Sequence, residues 1–305
     1  MQGGDGRQLQ EQYRCNDNYK REETNDQTLA PEHARIVVAN LQEGSTPSTL
    51  FARLLAQPVI GLDQASWGRL DGKKDTPWQM WALTAPGMVV HRIRDDKGAD
   101  TFKSLIGNYR GIIVCDALKP HEAGARGNDA IARAGCRAHV YRKFEEAAPN
   151  HPQANIALNW IGDLYEIDER AAGDVDNNSE LRRTDSDAVT AELKTWSWSQ
   201  LATQYAAALP IDRVLSEAWL RLTRFLQDVR IPFDNNATER AIRGPVVGCR
   251  NHYGSKSERG TQVASVFYSL LETAKLAGVG PATYLREAAL ADARGEALLP
   301  ADLPR

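Results

Sequence analysis

Val59-Ile60-Gly61-Leu62, Trp78-Gln79-Met80-Trp81-Ala82-Leu83, Met88-Val89-Val90-His91-Arg92-Ile93 and Gly111-Ile112-Ile113-Val114-Cys115 are the stretches whose reading decides this fold. All four are short apolar runs of strand composition bounded by turn formers. Asp71-Gly72-Lys73-Lys74-Asp75 precedes the second run, and Pro86-Gly87 separates it from the third. That spacing predicts an antiparallel meander of three strands. Ala99 to Ile106 predicts a helix, and the fourth run is apolar throughout, as buried strands are. The order is βββ-α-β. A right-handed crossover sets the fourth strand beside the first and parallel to it. The expected fold class is α/β with a mixed sheet.

Asp63 and Asp116 directly follow the first and fourth runs. In this topology both carboxylates emerge at one end of the sheet, on neighbouring strands. Two carboxylates that close repel each other and favour a divalent cation between them. An all-oxygen site suits Mg²⁺ or Mn²⁺. A single Asp at a strand end is usually a turn residue; the pair, in this element order, favours a site. Glu239 is the third candidate. Its setting, Asn236-Ala237-Thr238-Glu239, fits a capping box in which Glu239 closes on the Asn236 amide. Arg243 stands four residues on as a helical ion-pair partner. Locally, those structural roles suffice. A catalytic role requires the helix bearing Glu239 to pack beside the sheet.

Most of the remaining chain reads as helical. Residues 1–34 are polar and poor in branched apolar side chains, which predicts a floppy or partner-dependent lead. Ser45 to Ser48 predict a cap for a helix carrying Leu50, Phe51, Leu54 and Leu55. Ile156, Trp160, Ile161, Leu164 and Ile167 repeat at helical spacing, as do the apolar residues from Ile211 to Val229. A polar loop is expected between them, from Gly173 to Asp187. Val263, Val266, Phe267, Leu270, Leu271 and Ala274 mark another helix, stopped at Gly278, and Pro281 opens the next. The chain begins without a complete N-terminal module and reads as a remnant or piece of something longer.

Of 305 residues, 42% are hydrophobic and 25% charged, which excludes a disordered, collagen-like or disulfide-scaffold chain. At about 150 residues per domain, the length allows one large domain or two modest ones. No apolar run approaches the roughly 18 residues a membrane span needs, and no secretory signal pattern opens the chain. Cys15, Cys115, Cys136 and Cys249 form no C-x-x-C pair and read as free thiols of a reducing cytosol. The formal net charge is −3, so any grip on nucleic acid must come from local basic patches. One patch is Arg240, Arg243, Arg250, Lys256 and Arg259, with Asn251, His252, Tyr253 and Ser255 adding donors and a stacking surface. Gly244-Pro245, Gly248 and Gly254 predict a loop there rather than a continuous helix. Arg137, His139, Arg142 and Lys143 form a second patch. Cys136-Arg137-Ala138-His139 is half of a zinc site, but no second pair has matching spacing, so zinc is rejected on the sequence.

Four runs resemble the C-terminal half of the insertion-sequence-66 family of bacterial transposases: Asp234-Asn235-Asn236-Ala237-Thr238-Glu239-Arg240-Ala241-Ile242-Arg243, Gly248-Cys249-Arg250-Asn251, Tyr268-Ser269-Leu270-Leu271-Glu272-Thr273-Ala274-Lys275 and Pro281-Ala282-Thr283-Tyr284-Leu285. Gly135-Cys136-Arg137-Ala138-His139-Val140-Tyr141-Arg142-Lys143-Phe144 resembles its central signature. The resemblance implies a DDE catalytic domain of ribonuclease-H-like fold. Residues 57–150 would hold the first part of the core and 151–232 a helical insertion. Residues 233–290 would carry the Glu-bearing helix, the basic loop and C-terminal helices, with 1–56 as the lead segment and 291–305 as a tail.

The same resemblance implies that Asp63, Asp116 and Glu239 are the catalytic, metal-binding triad. Two Mg²⁺ (or Mn²⁺) ions would sit about 3.5–4 Å apart when both are bound. The implied partners are transposon-end DNA and target DNA, cut and joined by a homodimer. The implied location is the cytoplasm, at the nucleoid, with no membrane part. His139, Arg142, Lys143, Asn236, Arg240, Arg243, Arg250, His252, Lys256 and Arg259 are the expected DNA-binding residues. The sequence departs from the family beside the triad. Gln64 and Ala65 follow the first Asp where an acidic residue and Thr are usual, Ala117 and Leu118 follow the second in place of Gly-Tyr, and Cys249 replaces a basic residue. Two alternatives stand beside the leading one: an inactive or truncated remnant that only binds DNA, and a helical interaction module whose carboxylates are caps and turn residues.

Overall fold

The computed structural model describes residues 44–70, 78–116, 130–171, 175–204, 218–252 and 254–303. The lead segment 1–34, the turn at 71–75, Ala117 and Leu118, the start of the 211–229 helix and Tyr253 lie outside the described residues.

Strands β1 (Val59–Trp67), β2 (Trp78–Ala85) and β3 (Met88–Arg94) form the expected antiparallel meander. Gly87 turns between β2 and β3 at φ 70°, a conformation that favours glycine. Helix α1 (Thr46–Leu55) precedes β1, and α2 (Ala99–Ile106) joins β3 to β4 (Gly111–Cys115). β4 runs parallel to β1, with Gly61 opposite Val114. A further strand, β5 (Ile131–Gly135), lies parallel on the outer side of β4, beyond the four strands expected. Ile131-Ala132-Arg133-Ala134-Gly135 has one bulky apolar residue and little strand signal of its own. The sheet order is β3-β2-β1-β4-β5.

Alternate residues of the sheet feed two cores. Ile60, Leu62, Trp81, Leu83 and Ile113 pack with α1, α2 and the two C-terminal helices α8 (Glu258–Leu276) and α9 (Pro281–Ala293). Val59, Val114 and Ala134 face the other way, onto Leu164 and Ile167 of α4 (Ala154–Arg170) and onto Phe225 and Phe233. Between β5 and α4 lies α3 (Arg137–Ala147).

Residues 175–187, expected as a loop, are helical. α5 (Val175–Leu181) passes through a π turn (Arg182–Ser186) into α6 (Asp187–Gln204). The polar composition conceals this because one buried charge does the packing. The Arg182 guanidinium donates to the carbonyls of Phe225 (3.1 Å), Asp228 (3.3 Å) and Ile231 (2.9 Å) and pairs with Asp168 (3.0 Å). It thereby fixes the chain that returns toward the sheet before α7 (Asn236–His252).

Two local expectations are corrected. No Ser45 side-chain bond caps α1; Asp292 of α9 accepts from the Thr46 amide (3.0 Å) and hydroxyl (2.9 Å) instead. α7 runs unbroken through Gly244, Pro245 and Gly248, whereas Gly254, at φ 95°, does lie in a loop. Pro245 removes the amide that would bond Ala241; the buried His91 of β3 donates to that carbonyl through Nε2 (3.2 Å), so the helix continues.

Candidate active site

Asp63 is not the residue after β1, as expected, but its middle; β1 continues to Trp67 paired with β2 alone. Asp116 does follow β4 directly. Each lies two residues beyond the Gly61–Val114 pair, so both project on the face shared by Val59 and Val114. β4 ends at this level, which opens the sheet surface beside Asp63.

The helix carrying Glu239 reaches the same surface because Gly61 has no side chain. A Cβ there would overlap the hydroxyls of Thr84 and Thr238. Asn235 donates to the Leu62 carbonyl (3.0 Å) and accepts from Thr238 (2.7 Å), whose hydroxyl also contacts that of Thr84 (2.6 Å). Asn235, not Asn236, therefore begins α7, with its carbonyl accepting from Thr238 and Glu239. Asn236 is turned to Asp234, its amide nitrogen 2.5 Å from that carboxylate.

Glu239 forms neither of the local contacts its sequence offers. Both of its oxygens accept from a single nitrogen of Arg142 of α3, Nη2, at 3.0 and 3.1 Å. His139 Nδ1 lies 3.4 Å from Oε1, and the Cys136 thiol 3.9 Å. Asp63 Oδ1 accepts its neighbour Gln64's amide at 2.8 Å. Burial pushes the Asp63 carboxyl up to about 6, and the charges of Asp116 and Glu239 push the same way; the Gln64 amide and Arg142 oppose them. Asp116 from the sheet and Glu239 from α7 thus both come within electrostatic reach of Asp63.

Of the expected DNA contacts, Arg240, Arg243 and Arg250 project from one exposed stripe of α7, opposite the buried Ala241, Ile242 and Cys249. Lys256 and Arg259 are exposed beyond it. The loop between is pinned to the sheet: Ser255 accepts from the Trp67 indole (3.0 Å) and exchanges backbone bonds with Gly68 and Leu70. Lys143 pairs with Glu146 at 2.6 Å. His252 closes α7, its side chain outside the described residues. His139 and Arg142 stand against Glu239. Arg137 leaves the basic patch altogether. It is buried, donates to the Leu222 carbonyl and stacks over Phe225 (4.3 Å) and Phe233 (4.7 Å).

Cys136, His139 and Glu239 also place a thiol, an imidazole and a carboxylate within 4.8 Å of one another. The rejection of zinc on sequence rests on the want of a second pair; the missing donor is a single residue a hundred positions away, which no spacing rule finds.

A mixed sheet that brings Asp63 and Asp116 from paired parallel strands to one face, beside a later helix bearing Glu239, makes this an α/β protein with acidic side chains grouped over the sheet. The model of the Transposase IS66 family matches residues 8–263, and the chain belongs to that family. Its relatives include two described as uncharacterized proteins from Sinorhizobium fredii (strain NBRC 101917 / NGR234). Protein y4qI is 29% identical over 80% of this chain and 48% of its own length. Protein y4jD is 26% identical over 78% of this chain and 52% of its own. The chain spans about half the length of the curated relatives it matches. Among the described residues, no helix is long and apolar enough to cross a membrane.

Proposed function

We propose that this chain carries the ribonuclease-H-like catalytic domain of an insertion-sequence transposase, which cuts transposon-end DNA and joins the freed 3′ end to target DNA. The supporting observation is Asp63, desolvated and crowded by two further carboxylates that the topology brings from Asp116 and Glu239. An all-oxygen trio of this kind fits a hard divalent cation, which relieves their repulsion. Mg²⁺ or Mn²⁺ held by the three acids would offset the negative charge that builds on a phosphodiester under attack. The protein's own part is positioning. Asp63 and Asp116 ride on paired strands, and Asn235 and Thr238 lock Glu239's helix against Gly61. Arg240, Arg243, Arg250, Lys256 and Arg259 would hold DNA phosphates along α7 and its following loop. Two transposon ends require two sites, so the active complex would be at least a homodimer, acting on DNA at the nucleoid.

A second reading, DNA binding without cleavage, draws on the Arg142 Nη2 contact that occupies both oxygens of Glu239. One experiment separates the two. Asp63→Asn, Asp116→Asn and Glu239→Gln should each lower Mg²⁺-dependent nicking of end-bearing DNA by about 10²-fold or more, with DNA retention unchanged. Nicking that persists in all three variants defeats the assignment; metal-dependent nicking absent from the parent chain favours the binding-only reading.

A further inference from the structure

We propose that Cys136, His139 and Glu239 form a binding site for one thiophilic divalent cation of the zinc class, distinct in its donors from the all-oxygen site but sharing Glu239 with it. The donors come from two elements: Cys136 precedes the first turn of α3, His139 lies within that turn, and Glu239 lies near the start of α7. The thiol accepts the Asn235 amide at 3.2 Å, which orients its sulfur. His139 Nδ1 is buried and has no hydrogen-bond partner, although it lies 3.4 Å from Glu239 Oε1. A buried imidazole nitrogen left unbonded among two other donors is what a cation would use. Zinc–ligand bonds of about 2.0–2.3 Å set tetrahedral ligand edges of about 3.3–3.6 Å. The observed 3.4 Å from Nδ1 and 3.9 Å from Sγ to Glu239 need little adjustment. His139 keeps a side-chain exposure of 40%, enough for water to supply a fourth ligand.

Sulfur and imidazole donors select against Mg²⁺ and for zinc-like ions. On binding, the Cys136 thiol gives its proton to solvent, and the thiolate and carboxylate then balance the ion's two charges. Arg142 can stay on Glu239 Oε2, 3.1 Å away, while Oε1 takes the metal. The binding claim stands on this geometry. Its consequence rests on the function proposed above: an ion here draws Glu239 toward α3 and away from Asp63 and Asp116, so zinc opposes magnesium-dependent cleavage.

The test is titration of the metal-free full chain with Co²⁺, followed by absorption spectroscopy. One equivalent should give tetrahedral d–d bands and a thiolate-to-cobalt charge-transfer band, both displaced by Zn²⁺. Cys136→Ser should lose the charge-transfer band, and His139→Ala, which retains the thiol, should weaken Zn²⁺ binding by more than about 100-fold, the upper range for losing a mere outer partner of a ligand. Asp116→Asn should leave spectrum and affinity unchanged. A parent chain without the charge-transfer band, a band surviving Cys136→Ser, or binding lost in Asp116→Asn would each overturn the site. A chain that fails to nick DNA yet gives this spectrum would sink only the proposed function.

Discussion

Pro245 takes a donor from the middle of α7, and His91 returns one from a neighbouring strand. Burial keeps the imidazole neutral and lowers the His91 pKa to about 4 from an ordinary 6.5, although its bond to the Ala241 carbonyl favours the charged ring. Between those values the unfolded chain takes up a proton that the folded one excludes. Stability from this residue is therefore complete above about pH 6.5 and drains away as pH falls toward 4, by at most about 3 kcal/mol. Urea denaturation at pH 7 and pH 4.5 should show this loss, and His91→Gln should flatten it. Asp63 has the opposite sign. Its carboxyl, raised to about 6, costs stability at neutral pH. Asp63→Asn should stabilise the metal-free chain by about 1–3 kcal/mol at pH 7, an advantage that shrinks as the pH falls toward 4. A melt showing destabilisation instead would contradict the crowded-carboxylate picture. Gly61→Ala has no such compensation; it should dislodge α7 and remove activity and stability together.

Among the elements, α8 shows best what hydrophobic period alone can miss. The period points to Val263, Val266, Phe267, Leu270, Leu271 and Ala274 as its inner face; Leu270 and Ala274 are buried, but so are Thr261, Ser265, Ser269 and Thr273, which it passes over. β3 is an edge strand, and the hydroxyls of Ser265, Ser269 and Thr273 satisfy its outward backbone groups. Thr273 bonds both the amide (3.1 Å) and the carbonyl (3.0 Å) of Val89, Ser269 accepts from His91 (2.7 Å), and Ser265 accepts from Ile93 (3.0 Å). Four helical residues rise about 6 Å and two strand residues about 6.6 Å, so helix and strand stay in step from Val89 to Ile93. Hydropathy counts Ser and Thr as polar, which is why the face is invisible to it. Ser269→Ala should cost about 1–3 kcal/mol in urea, the penalty for an unpaired buried amide. The meander, α2 and the parallel β1–β4 pair were legible because their apolar runs are contiguous. β5 was not, for its small side chains take their burial from partners far along the chain.

At the scale of the molecule, charge and connectivity carry the message. A net charge of −3 hides a basic stripe on α7. Replacing Arg240, Arg243 and Arg250 with Ala should lower the salt slope of DNA binding by about 0.9 for each phosphate no longer neutralised; an unchanged slope would place the DNA elsewhere. The convergence of Asp63 with Asp116 was legible from strand order alone. Glu239 was not, since its approach depends on Gly61, Asn235 and Thr238 meeting in space. The first described helix has a related dependence. The acceptor for its leading amide is Asp292, 246 residues later, and the Leu298 amide in turn bonds the Thr46 hydroxyl (3.1 Å) while Leu299 enters the central core. A nascent chain has made α1 long before it has made its cap, so this flank of the sheet closes only after Asp292, Leu298 and Leu299 have left the ribosome.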